Sequence, residues 1–163
     1  MKFKIDKKII LENLINVTRA ISSKNIIPIL NGIKFELSID GLYLTASDSD
    51  LMIKSFIPKD NILEVEQEGI IIIQSDKIVD IVRNMPSNEI EFEVLDGLKI
   101  VIKSGTSKYN LNCFDPNDYP NIKIEENKNN VVIESNILKQ MISQTVFAIS
   151  SQELRPFLTG LNI

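Results

Sequence analysis

The chain has 163 residues and a net charge of −4, with 44% hydrophobic and 25% charged residues. That is a globular balance, with room for one ordinary domain or one domain and part of another. It contains no histidine and a single cysteine, Cys113, which excludes a Ser-His-Asp triad, a Cys-His dyad, His-ligated metals and a zinc cluster within one chain. No Gly-rich phosphate loop and no apolar run of about 18 residues is present. The opening Met1-Lys2-Phe3-Lys4-Ile5-Asp6 lacks the apolar core of a signal peptide. A cytoplasmic protein without a membrane partner or a cofactor is expected, and a lone cysteine suits a reducing compartment.

The first helix is expected from Lys7 to Ile21, with Asp6 as N-cap and Ile10, Leu14, Val17 and Ile21 on one face. Pro28 confirms its end. Ile33, Phe35, Leu37 and Ile39 then alternate as a strand, and Asp40-Gly41 signals a type I′ turn into Leu42, Leu44 and Ala46. Leu51–Pro58 and Gly69–Gln74 read as further strands. A second helix is expected from Ser75, as N-cap, to Asn84, stopped by Pro86. Ile90, Phe92 and Val94 alternate with glutamates, Asp96-Gly97 turns the chain into Leu98, Ile100 and Ile102, and Ser107–Cys113 is a last strand. Residues 114–130 are turn-rich and polar, which marks a linker at 126–130 between a domain at 1–125 and a segment at 131–163.

Val131–Ser135 reads as a strand and Asn136–Ile149 as a helix. Laid over residues 3–35 with an offset of 128 and no gap, residues 131–163 repeat Ile5 as Ile133 and Ala20-Ile21-Ser22-Ser23 as Ala148-Ile149-Ser150-Ser151. Pro28, Leu30 and Gly32 recur as Pro156, Leu158 and Gly160. The segment 131–163 is therefore read as the incomplete start of a second, similar domain, too short to close a core. A fragment of a longer protein is expected.

Charge is unevenly spread. The three expected helices and the turn after the first hold Lys7, Lys8, Arg19, Lys24, Lys77, Arg83 and Lys139 against Glu12, Asp76 and Asp80. That surplus of four leaves −8 for the rest of a chain whose total is −4. Basic helices beside acidic strands are the pattern of a protein whose helices face a polyanion. Two other function classes are weaker. Carboxylate catalysis would draw on Asp48 and Asp50 or on the row Glu89, Glu91 and Glu93, but a hairpin-end turn explains the first better and strict alternation makes the second a solvated strand face. A non-catalytic structural or interaction module would fit the strand content alone.

Several motifs together resemble the bacterial DNA polymerase III beta subunit, or sliding clamp, family. They are Pro-Ile-Leu-Asn-Gly-Ile-Lys-Phe from Pro28, Leu-Thr-Ala-Ser-Asp-Ser-Asp-Leu from Leu44, and Val-Arg-Asn-Met-Pro from Val82. To these add Ser-Gly-Thr-Ser-Lys-Tyr-Asn-Leu from Ser104, Asp-Pro-Asn-Asp-Tyr-Pro from Asp115, and Phe-Ala-Ile-Ser-Ser-Gln-Glu-Leu-Arg-Pro-Phe-Leu-Thr-Gly-Leu-Asn from Phe147. The resemblance implies an α+β DNA-clamp domain, antiparallel sheets outside and two helices on the inner face, followed by the truncated start of a second such domain. It implies a processivity factor that encircles double-stranded DNA without reading sequence and tethers the replicative polymerase and other partners, clamp-loader subunits among them. It has no catalytic residue, metal or cofactor of its own.

The resemblance places DNA contacts at Lys24 and Gln152, and the helix charge adds Arg83. It places the partner-peptide pocket at Arg155 and Leu158. The subunit interface of a homodimeric ring falls at Tyr109 and Leu111, surrounded by Lys77, Lys99, Lys103 and Lys108, with Thr106 where some members carry arginine. The isolated fragment is expected to be mostly monomeric.

Overall fold

The computed structural model describes residues 1–22, 27–48, 50–120, 131–150 and 158–162. The chain divides into two compact units, Met1–Ile122 and Lys123–Ile163. The expected linker at 126–130 lies outside the described residues.

The first unit is built from β1 (Lys2–Asp6), α1 (Lys7–Thr18), β2 (Gly32–Ser38), β3 (Gly41–Ser47), β4 (Met52–Pro58), β5 (Ile62–Gln67), β6 (Gly69–Gln74), α2 (Ser75–Asn84), β7 (Glu89–Leu95), β8 (Lys99–Ser104) and β9 (Ser107–Asn112). One sheet has the order β5-β1-β7-β8-β9 and the other β4-β3-β2-β6, every pairing antiparallel. The elements β1-α1-β2-β3-β4 recur as β6-α2-β7-β8-β9, so β4-β3-β2-β6 answers β9-β8-β7-β1, with β5 added beyond β1. The first strand of each half lies in the sheet of the other.

The two-residue alternation of the strands and the helical stripes converge on one core. Phe3, Ile5, Ile90, Phe92, Ile100 and Ile102 come from the first sheet, and Ile33, Phe35, Leu42, Leu44, Ile71 and Ile73 from the second. Ile10, Leu14 and Val17 of α1 and Ile78 and Val82 of α2 join them. Phe3 and Phe92 are cross-strand partners stacked at 4.8 Å and 8°, an arrangement that contributes roughly 0.5–1.5 kcal/mol beyond its buried area. Helix α1 packs on α2 and against β3 and β4. It is tied to β4 by a hydrogen bond from Ser55 Oγ to Asn13 Oδ1 at 2.5 Å.

Asp6 caps α1 as expected, its carboxylate accepting from the Lys8 N–H at 2.8 Å and the Ile9 N–H at 3.3 Å. The helix is shorter than its periodicity predicts. After Thr18 the Ala20 and Ile21 N–H groups reach back three residues, to the Val17 and Thr18 carbonyls, so the chain tightens into a turn while Ala20 stays buried. Ser75 is the first residue of α2 rather than its cap; Gln74 stands at the cap without a side-chain bond, and Asp76 supplies negative charge in the first turn.

The turns also differ from the type I′ expectation. Ile39 and Asp40 connect the paired Ser38 and Gly41 without positive φ. Glycine is needed at 41 because φ is +149° and a Cβ would sit 2.2 Å from the Ile57 carbonyl. The β7–β8 loop has three residues, Asp96, Gly97 and Leu98, between the paired Leu95 and Lys99, with φ +77° at Gly97 and +56° at Leu98. β1 and β5 lie outside the expected set of strands.

In the second unit α3 spans Ser135–Thr145, followed by a 3-10 turn at Val146–Ala148. The strand expected at Val131–Ser135 is absent: residues 131–134 are not in a strand, and Ser135 opens the helix. Val131 and Val132 are 83% and 94% exposed. A Val-Val-Ile run becomes a strand by packing on cross-strand neighbours, and none among the described residues pairs with it.

Candidate functional site

The expected DNA-facing side is the outward face of α1 and α2. Lys8, Glu12 and Arg19 are exposed on α1, and Asp76, Lys77, Asp80 and Arg83 on α2. Arg83 Nη1 lies 3.5 Å from Asp80 Oδ1, one turn away and well exposed, a pairing that leaves its guanidinium accessible. Lys7 does not share this face. It is half-buried, and its Nζ donates to the Met85 carbonyl at the end of α2 at 2.6 Å. Over α1, its C-cap and α2 the sequence counts five cations against three carboxylates, and without Lys7 the exposed ones are four against three. Lys24 and Gln152 lie outside the described residues.

The second candidate surface is the β8–β9 hairpin. β9 forms the edge of its sheet. Tyr109 stands opposite Ile102 and Leu111 opposite Ile100. Leu111 packs partly against the core, whereas Tyr109 is 41% exposed. Lys103 and Lys108 face each other across the pair, a like-charge juxtaposition that needs compensation. Glu91 and Glu93 of β7 provide it, at 3.0 and 2.8 Å from Lys103 Nζ. The Lys103 bond holds the Glu93 carboxyl below the usual carboxylate range against the opposing effect of desolvation, and Glu93 then Glu91 raise the Lys103 ammonium.

The same alternation continues across the sheet, where Lys2 pairs with Glu66 at 2.7 Å and Lys4 with Glu64. Among the described residues Lys99 and Lys108 form no such ion pair. The uncompensated positive charge of this face thus collects at its open edge, beside a groove of about 420 Å³ walled by Leu95, Val101, Asn110 and Asn112. Lys99, Lys103, Lys108, Tyr109 and Leu111 share one hairpin, but the register puts the lysines on one face and Tyr109 and Leu111 on the other, with the core residues Ile100 and Ile102; Lys77 stands apart in α2. The glutamate partners of Lys103 were missed by residue-type reasoning, although the β7–β8 register that places Glu91 opposite Lys103 follows from the length of the connecting loop.

Of the expected peptide pocket, Arg155 is outside the described residues, and Leu158 is 45% exposed, its carbonyl accepting from the Ser150 N–H at 2.9 Å. The acidic alternatives resolve into local structure. Asp48 Oδ1 accepts from the backbone N–H groups of Asp50 and Leu51, at 3.1 and 2.8 Å, which makes it the organiser of the turn between β3 and β4. Glu91 and Glu93 are engaged by Lys103. Among the described residues no cluster of three or more Cys, Asp or Glu could hold a metal, and no helix is long and apolar enough to cross a membrane.

Residues 1–123 match the family described as DNA polymerase III beta subunit, N-terminal domain. Over 99% of its length the chain is 44% identical to the beta sliding clamp of Halalkalibacterium halodurans and 42% identical to that of Bacillus subtilis. It spans 44% of the length of both relatives. The crystal structure of the Bacillus subtilis DNA polymerase sliding clamp aligns over 98% of this chain and 43% of that one, with a TM-score of 0.89 and 41% identity. The beta chain of DNA polymerase III from Streptococcus pneumoniae gives the same TM-score, 0.89, at 33% identity. An order of strands and helices read from alternation, an opening motif that returns after 128 residues and these matches agree, and the chain belongs to the DNA polymerase III beta subunit family.

Proposed function

We propose that the chain supplies the first domain, and the opening of the second, of a ring that encircles duplex DNA and slides along it. The ring tethers the replicative polymerase and is placed on DNA by clamp-loader subunits. It acts in the cytoplasm as an accessory subunit that makes and breaks no bond. The observation that carries this reading is the match over 99% of the chain to proteins named beta sliding clamp. Sliding requires weak contacts to phosphate rather than to base edges. Exposed Lys8, Arg19, Lys77 and Arg83 on one pair of helices suit that, and Lys24 and Gln152 are assigned to the same role. Arg155 and Leu158 belong to the partner-peptide pocket.

The β9 edge is the reading's subunit interface. Tyr109 and Leu111 form its apolar centre, and Lys99 and Lys108 offer charge to an acidic partner strand, with Lys77 and Lys103 at the margin. A head-to-tail contact uses two different patches, so the chain alone, which carries one of them, is mostly monomeric. The test is retention on DNA: the assembled ring stays on closed circular duplex and is lost when the circle is cut. Equal loss from circular and linear DNA would refute the clamp reading. In parallel, sedimentation of this chain should give a monomer mass that Tyr109→Ala leaves unchanged. A stable dimer dissociated by that substitution would mean the edge pairs with itself.

A further inference from the structure

Lys7 differs from the other described cations on α1 and α2. Lys8, Arg19, Lys77 and Arg83 are exposed; Lys7 is half-buried and donates from Nζ to the Met85 carbonyl at 2.6 Å. Met85 is the C-cap of α2 and 2% exposed. The ammonium thus sits where the α2 dipole is negative and a carbonyl would otherwise lack an intrahelical partner. The Lys7 backbone N–H adds a bond to the Asn88 carbonyl at 2.6 Å. Together they fasten the first turn of α1 to the C-cap of α2 and to the segment that leads from it into β7.

Among the described residues no lysine or arginine side chain bonds across the opposite end of the helix pair. There the helices part over a cleft of about 340 Å³ lined by Thr18, Ile21, Ser75, Asp76, Val79, Asp80 and Arg83, whose guanidinium pairs within α2 with Asp80. Ser75 opens α2 as Lys7 opens α1. Leu14 and Val17 of α1 and Ile78 and Val82 of α2 share the core and set the helices' general disposition, and the Lys7 bond adds a directional tie at one end. The two helices also belong to different halves of the unit, so their exposed cations hold a common spacing only if the helices are coupled.

We propose that Lys7 is a positioning residue for duplex binding: bonded to the Met85 carbonyl, it sets α1 against α2 so that the exposed cations of both helices meet the phosphate backbone together, and it touches no phosphate itself. This rests on the clamp reading above. The first test does not involve DNA. Spin labels at Asn16→Cys and Asn84→Cys, in the whole chain with Cys113→Ser, report the distance between the helices. The distribution should be narrow with Lys7 or Lys7→Arg and should broaden or shift with Lys7→Met. If Lys7→Met does not fold, Lys7→Gln is read in the same way. An unchanged distribution overturns the proposal.

The second test uses the assembled ring. Lys7→Met should flatten the dependence of log affinity on log salt by about two for each subunit of the ring, one for each of Lys8 and Arg19 leaving the phosphates. It should add nothing in a Lys8→Ala/Arg19→Ala background. A loss of about one per subunit that persists in that background would make Lys7 a phosphate contact and overturn the proposal. A parent ring with no salt-dependent binding would defeat the clamp reading and the DNA half of this one, while the distance measurement still judges the fastening.

Discussion

Cys113 follows β9 and gives its backbone N–H to the Leu98 carbonyl at 2.7 Å. Burial pushes its thiol up to about 12, so the thiolate fraction at pH 8 falls roughly a thousandfold below that of an exposed cysteine. The expected outcome is slow maleimide labelling of the native chain and rapid labelling once denaturant is added. Native labelling at the denatured rate would place the thiol in solvent. At this scale the sequence was only partly informative. Tyr109 and Leu111 were legible as strand neighbours because alternation fixes which face they share. The burial of Lys7 was not legible, because its acceptor is a backbone carbonyl 78 residues away and carries no side-chain signature. The same holds for Asp48, whose carboxylate serves backbone N–H groups that every residue type offers.

β2–β4 and β6–β9 were legible in the sequence, whereas β1 and β5 were not, and β5 shows one reason. Its pairing with β1 shifts register between Lys2 and Phe3 and again between Lys4 and Ile5. These irregularities bring Ile62 and Val65 onto the core-facing partners Ile5 and Phe3 while Leu63 is 57% exposed; no period of two survives. Turn chemistry yields a test at Leu98, held at φ +56° and 39% exposed. Left-handed backbone costs a side-chain-bearing residue about 1–2 kcal/mol, and little burial is lost there. Leu98→Gly should therefore leave stability unchanged or raise it by up to about 1 kcal/mol in urea unfolding; a loss above that size would show that the Leu98 side chain stabilises the hairpin.

The charged face of the first sheet gives a pH prediction. Glu64 and Glu93 are lowered, by Lys4 and Lys103 respectively. Their contribution is present above the unfolded carboxylate value of about 4.3 and is lost as pH falls through the depressed folded values. Lys2, Lys4 and Lys103 are raised, chiefly by Glu66, Glu64 and Glu93. Theirs is present below about 10.4 and is lost as pH rises through the elevated folded values. Thermal unfolding should show a plateau between about pH 5 and 10 that declines on both sides, with shallower flanks at high salt. A midpoint that climbs steadily toward acid or alkali would contradict the ladder.

The whole molecule has its described core within the first unit, from Met1 to Cys113, while the apolar side of α3 is open, with Ile137 and Met141 50% and 48% exposed. Residues 1–122 expressed alone should unfold within a few degrees of the full chain's midpoint by circular dichroism. A large drop would show that residues 123–163 stabilise the first unit. The 128-residue repeat was visible because identical residues recur in order, whereas the twofold recurrence of β1-α1-β2-β3-β4 as β6-α2-β7-β8-β9 was not. There only the order of elements repeats, with a helix of 12 residues in one half and 10 in the other. That recurrence has a consequence during synthesis. Because each half lends its first strand to the other half's sheet, β1 leaves the ribosome long before β5 and β7, the strands that flank it. At 5–20 residues per second the wait for residue 95 is roughly 5–20 s. Until β5 follows, Phe3 and Ile5 have no strand to pair with, and until β7 is complete they have only one of their two neighbours, so the earliest part of the chain to be made is among the last to be enclosed.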